Sequence, residues 1–255
     1  MRIAGPLLIA FALWYSPAQA NEEIVAGLSQ NRVAITADFS GSEIMIYGAV
    51  KRDAPPPGSA PLEVIVTVEG PSAPISVRRK ERRAGIWVNT DEIQINRAPS
   101  FYAVASTGPM DRVLSQTEDL RHKITLFRAI SAVGTKSKVE DAENFVDALI
   151  RIRSREDQFR VMEGSIQFTE QTLFRADIGL PANLTEGNYR VRLFLTRSGT
   201  VVDKIERRIF VRKEGLERIL YNLSREQPLI YGILSLLIAL VAGYGASAAF
   251  RLIRR

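Results

Sequence analysis

Apolar and polar positions alternate in short runs between residues 32 and 106, with β-branched and aromatic side chains frequent among them. A period of two turns one face of a strand to a core and the other away from it. Strands are predicted at 32–37, 43–50, 62–69, 75–80, 85–88, 92–96 and 101–106, with turn residues between them. The stretch Pro55-Pro56-Pro57-Gly58-Ser59-Ala60-Pro61, whose prolines have no amide donor, cannot continue a ladder and predicts an exposed loop.

After Pro109 the period lengthens. A short helix is predicted at 111–120. A longer one follows the capping-box pattern Ser137-Lys138-Val139-Glu140, with Val139, Ala142, Val146, Leu149 and Ile152 on one face. Its leading residues Glu140, Asp141 and Glu143 and its closing Arg151, Arg153 and Arg155 are placed as the helix dipole favours. Strand character returns at 161–169, 172–178, 188–196 and 201–212, with Ser198-Gly199 turning the last hairpin. The approach from Leu180 to Tyr189, followed by alternating Val191, Leu193 and Leu195, is similar to the corner into a late strand of immunoglobulin-like sandwiches. There a tyrosine hydroxyl ties the turn, which gives Tyr189 a structural role. The expected fold is mainly β with a helical insert: an immunoglobulin-like antiparallel sandwich region at 21–107, a helical segment at 108–160 and a second β region at 161–213. Whether the two β regions make one sandwich or two stays open.

The two ends carry a different pattern. Residues 1–20 hold one cation, an apolar stretch and Ala18 and Ala20 at the spacing of a signal-peptidase site, so cleavage before Asn21 is expected. Residues 214–228 place Leu216, Ile219, Leu220 and Leu223 on one face of a juxtamembrane amphipathic helix, which Pro228 ends. Residues 229–250 contain no acidic or basic side chain, and at about 1.5 Å per residue they reach about 33 Å. That matches a hydrocarbon core of about 30 Å. The tail at 251–255 carries Arg251, Arg254 and Arg255, which favour the cytoplasmic side. The expectation is a single-pass protein of a bacterial inner membrane, its main domain periplasmic and its C-terminus cytoplasmic.

Charge changes less than its total implies. The net charge is +6, but Arg2 and the three tail arginines belong to the ends. Setting those four aside from the 34 basic residues leaves 30 against 28 acidic ones, so nucleic acid is not an expected partner. With no cysteine, disulfides and thiolate chemistry are excluded. His122, beside Glu118 and Asp119, is the one histidine. A catalytic zinc site recruits more than one such ligand, so His122 reads as structural, and no metal, cofactor or catalytic residue is assigned. Arg78, Arg79, Lys80, Arg82 and Arg83 surround Glu81 and precede Trp87. This basic surface patch has two readings: a contact for anionic headgroups or an acidic partner anchored by Trp87, or a solvated hairpin tip with Trp87 in the core. In the apolar span, Ser235, Ala239, Gly243 and Ser247 recur every fourth residue, a face along which another helix can approach closely.

The run Arg79-Lys80-Glu81-Arg82-Arg83-Ala84-Gly85-Ile86-Trp87-Val88-Asn89 and the later Pro99-Ser100-Phe101-Tyr102-Ala103-Val104-Ala105-Ser106 resemble an alphaproteobacterial transmembrane protein family. The resemblance runs from the first strand to the terminal helix. It implies the exported topology and a bacterial origin, with such proteins encoded near sulfite-exporter-like transporters, and it brings no activity or catalytic residues. The leading expectation is a non-enzymatic binding or accessory protein that meets the lipid bilayer and a polytopic membrane protein such as a transporter. Alternatives are an envelope hydrolase working with carboxylates and a structural envelope protein.

Overall fold

The computed structural model describes residues 22–36, 38–53, 60–130, 142–215, 220 and 223–253. The expected signal peptide with its cleavage site, most of the proline-rich loop, the capping box at 137–140, several residues of the juxtamembrane helix and the side chains of the basic tail lie outside them. In chain order come β1 (Glu22–Leu28), β2 (Arg32–Ile35), β3 (Ser42–Arg52), β4 (Leu62–Glu69), β5 (Ser72–Arg83), β6 (Ile86–Pro99) and β7 (Tyr102–Ser106). Four helices follow: α1 (Met110–Val113), α2 (Gln116–His122), α3 (Leu126–Ala129) and α4 (Ala142–Arg155). Then come β8 (Phe159–Met162), β9 (Gln167–Thr169), β10 (Leu173–Leu180), β11 (Gly187–Arg197), β12 (Thr200–Lys213) and α5 (Pro228–Ile253).

A four-stranded sheet runs β1-β3-β10-β9, and a six-stranded sheet runs β2-β12-β11-β4-β7-β8. Early and late strands share both sheets, so the two β regions build one sandwich. Most pairings are antiparallel, but β2 lies parallel to β12 and β8 parallel to β7. The architecture is mainly β and compatible with an immunoglobulin-like sandwich. At the corner into β11, the Tyr189 hydroxyl donates to the Thr185 carbonyl at 2.9 Å, and its ring is buried.

β4 explains the layering. Leu62, Val64, Val66 and Val68 face the partner sheet, while Ile65 points out of the opposite face. Burial on both sides accounts for its near-continuous apolar character. The inner faces enclose the sandwich core, where Ile46, Ile178, Val191 and Leu193 are fully buried. A second core lies on the outer face of the six-stranded sheet, covered by the β5–β6 hairpin and by α1–α4. The hairpin contributes Ile93 and Ile95, and α4 contributes Phe145, Val146 and Leu149.

Several elements depart from the sequence expectations. β1 was not anticipated, because Glu22 takes a buried position where alternation calls for an apolar residue. The strands expected at 85–88 and 92–96 are one strand: Arg79 pairs with Asp91 and Lys80 with Asn89, so Thr90 is an extra residue accommodated by a bulge. The strand expected at 161–169 is two strands in different sheets, separated by a turn with Gly164 at φ 68°. The helix expected at 111–120 divides at extended Leu114, and Ser115 then caps α2 by accepting from the Glu118 amide. Ile152, placed on the buried face of α4 by its spacing, is half-exposed, while Phe145 takes the core position. Trp87 is 68% exposed, which corrects the reading that puts it in the core: two residues past the Ala84-Gly85 turn, the hairpin has left the sheet it covers.

Candidate functional site

Along β11, Val191, Leu193 and Leu195 face the sandwich core, so Arg190, Arg192 and Phe194 face outward. The register sets their neighbours. Arg190 lies between Arg208 and Glu69, and Glu69 next to Tyr102; Arg192 lies between Glu206 and Thr67; Phe194 lies between Lys204 and Ile65. Glu69 is buried at the end of β4. It accepts from Arg190 at 2.5 Å, from Arg97 of β6 at 2.7 Å and from Ser72 at 3.3 Å. Burial opposes its ionisation, but the hydrogen bonds and charges of Arg190 and Arg97 outweigh it and hold the carboxyl below its ordinary value.

Helix α2 supplies the opposite wall. It ends at Lys123 in the left-handed region, φ 51°, and Arg192 occupies the space beneath that end. One terminal nitrogen of Arg192 donates to the His122 carbonyl at 2.6 Å, and the other to the Lys123 carbonyl at 3.0 Å and the Tyr102 hydroxyl at 3.3 Å. A guanidinium at the carboxyl end of a helix both satisfies orphan carbonyls and meets the negative end of the dipole. Tyr102 in turn donates to the Ile124 carbonyl at 2.6 Å, and desolvation pushes its phenol up to about 12. Buried Asp119 accepts from the Ile124 and Thr125 amides and the Thr125 hydroxyl, which fixes the chain between α2 and α3.

His122 sits over the outer face, its ring 5.6 Å from that of Phe194 and its Nε2 3.3 Å from Glu118. Burial lowers its basicity first, and Lys204, Arg121 and Arg192 lower it further against the opposing pull of Glu118. Between α2 and the β11–β12 face lies a cleft of about 320 Å³ lined by Arg121, His122, Arg192, Phe194 and Lys204. An adjoining recess of about 170 Å³ shares Arg121, His122, Arg190 and Arg192 and extends to Glu69, Arg97 and Lys123. Chemically the cleft is an electropositive trough with an apolar patch, suited to holding an anion. The sequence expectations contained none of its cations. The legible signal was the alternation of Arg190, Val191 and Arg192, which sets two arginines on one strand face.

The terminal helix α5 runs for 26 residues, about 39 Å at the helical rise. Its stretch Pro228–Ser247 contains no charged residue and none of it is buried against the rest of the chain. The sequence profile of the family described as "Putative transmembrane protein (Alph_Pro_TM)" matches residues 23–252. The chain belongs to this family. No curated protein sequence matches it. Among solved structures it is similar to Spo0M, a sporulation control protein from Bacillus subtilis, at 12% identity and a TM-score of 0.26, over 80% of this chain and 55% of that one. The chain thus spans about half the length of that protein.

In this member of the Alph_Pro_TM family, Ser235, Ala239, Gly243 and Ser247 are all exposed along α5, and the Ser235 hydroxyl donates to the Gly232 carbonyl at 2.9 Å. A Cβ added at Gly243 would meet nothing within 4 Å. The basic patch divides. Arg79 lies 4.8 Å from the ring centre of Phe145 and 3.7 Å from Asp91, and Arg78 pairs with Glu92 at 3.1 Å, so both are engaged midway along the hairpin. Lys80, Arg82 and Arg83 project farther out, where Arg82 pairs in register with Trp87 and Arg83 with Ile86. Among the described residues no group of three or more histidine, aspartate or glutamate side chains is arranged to hold a metal ion.

Proposed function

We propose that the protein is a membrane-anchored accessory module of the bacterial inner membrane, its β-sandwich held in the periplasm and its single helix packed against a polytopic membrane protein such as a transporter. The observation that carries this reading is α5: following a folded β body, its apolar stretch Pro228–Ser247 carries no charged residue and is not buried against the rest of the described chain. A lone helix without charge encloses no pore and relays no proton, so transport falls to a partner. The small-residue face at Ser235, Ala239, Gly243 and Ser247 is where that partner's helix approaches. The hydrolase alternative has less in its favour, because Glu69, the buried carboxylate of the cleft, is engaged by Arg97 and Arg190, and buried Glu118 beside it by Arg121 and His122.

The test is co-purification from native membranes. Gly243→Ile, and separately replacement of residues 229–250 by polyleucine, are expected to leave the protein in the membrane fraction while membrane partners are lost. Retention of the same partners by both variants would remove the helix-contact reading.

A further inference from the structure

The cleft holds more positive charge than the fold uses. Arg97, Arg121, Lys123, Arg190, Arg192 and Lys204 line its two parts, against the carboxylates of Glu69, Glu118 and Glu206. Glu69 is committed to Arg97 and Arg190, and Glu118 to Arg121 and His122. Among the described residues no carboxylate lies within ion-pair distance of Arg192, Lys123 or Lys204, although Glu206 is the cross-strand neighbour of Arg192. Arg192 is half-buried, its terminal nitrogens engaged by carbonyls and a phenol, and its Nε buried without a hydrogen-bond partner. A guanidinium drawn out of water without a counter-charge is costly unless an anion completes it.

We propose that this cleft binds a small oxyanion of the phosphate type, with Lys204 and Lys123 reaching it from the two rims and Arg192 and Arg190 behind it. Phe194 and Ile205 add apolar surface for an organic body attached to the anion. The same chemistry can arrive as a soluble phosphate compound or as a lipid headgroup. The inference is independent of the partner proposed for α5, since it concerns side chains of β4, β6, α2 with its C-cap Lys123, β11 and β12 alone.

His122 is the single histidine of the chain and lines both parts of the cleft, so it is a built-in reporter. The full chain, with ¹⁵N-histidine, is placed in phosphatidylcholine nanodiscs and titrated with inorganic phosphate at constant ionic strength. The expected result is a saturable shift of the imidazole resonances and a rise in its titration midpoint, as the added charge offsets Lys204, Arg121 and Arg192 and reinforces Glu118. Lys204→Gln, a change on an exposed strand position, and Lys123→Gln combined with it are expected to raise the half-saturation concentration at least tenfold with unchanged thermal melting. A second arm uses phosphatidylglycerol nanodiscs without phosphate: a shift there that phosphate does not extend supports the site with the headgroup as source, and a shift on added phosphate alone supports it with a soluble source. A response that chloride reproduces, that fails to saturate, that is absent from both arms, or that survives both lysine changes intact would overturn the proposal.

Discussion

Two buried glutamates, each bridged by two arginines, lie near opposite ends of β11 and have different surroundings. Glu22 binds Arg52 at 3.1 Å and Arg197 at 2.8 Å, with all three side chains largely covered: 1%, 19% and 14% exposed. Glu69 binds Arg97 and Arg190 at comparable distances, but those arginines are 49% and 36% exposed and front a cleft. The same chemical unit therefore does two jobs. Around Glu22 it closes the sandwich by tying β1, β3 and β11 together; around Glu69 it holds two guanidinium groups in the wall of an open recess. What decides between them is what lies over the arginines, not the charges themselves.

Breaking each unit in turn separates the two roles. Glu22→Gln is expected to have the largest effect, a loss of about 3 kcal/mol in denaturant unfolding of the full chain in detergent, because it strands two covered cations. Glu69→Gln is expected to cost less, about 1–2 kcal/mol, since its arginines regain water. Equal losses would erase the distinction. The pH dependence sharpens it. The folded Glu69 carboxyl lies below its ordinary value of 4.5, so its contribution is present above that pH and is lost as pH falls through the lowered folded value. Unfolding curves across pH 2–7 should show this acid-side loss in the wild-type protein, reduced in Glu69→Gln. The smallest effect belongs to the hairpin tip. Trp87→Ala should change stability by less than about 0.5 kcal/mol, because the indole is exposed, and a larger loss would place Trp87 in a packed environment.

The sandwich was legible in the sequence where apolar residues recur at every second position, as Leu62, Val64, Val66 and Val68 do in β4 and Val191, Leu193 and Leu195 in β11, while Ile65 and Phe194 face the second core. It was illegible where a polar residue took a buried place, as Glu22 does, or where a bulge carried a strand through polar Thr90 and Asp91. Trp87 misled for a related reason: an aromatic residue next to a turn reads as core by composition, and only the length of the hairpin shows that it overhangs. The cleft was hidden because its cations come from β6, α2 and its C-cap, β11 and β12, and strand register together with the packing of α2 on Arg192 brings them together. The apolar terminal helix needed no tertiary information, since its length and lack of charge are local properties.

α5 is proposed to be a contact surface as well as an anchor. Photocrosslinking residues placed singly at Ser235, Ala239, Gly243 and Ser247, and at Leu237 and Val241 on the opposite side of the helix, test that in intact cells. The expected result is crosslinks to an integral membrane partner from the first four positions and none from the other two. Crosslinks of equal yield from both faces, or from neither, would contradict it.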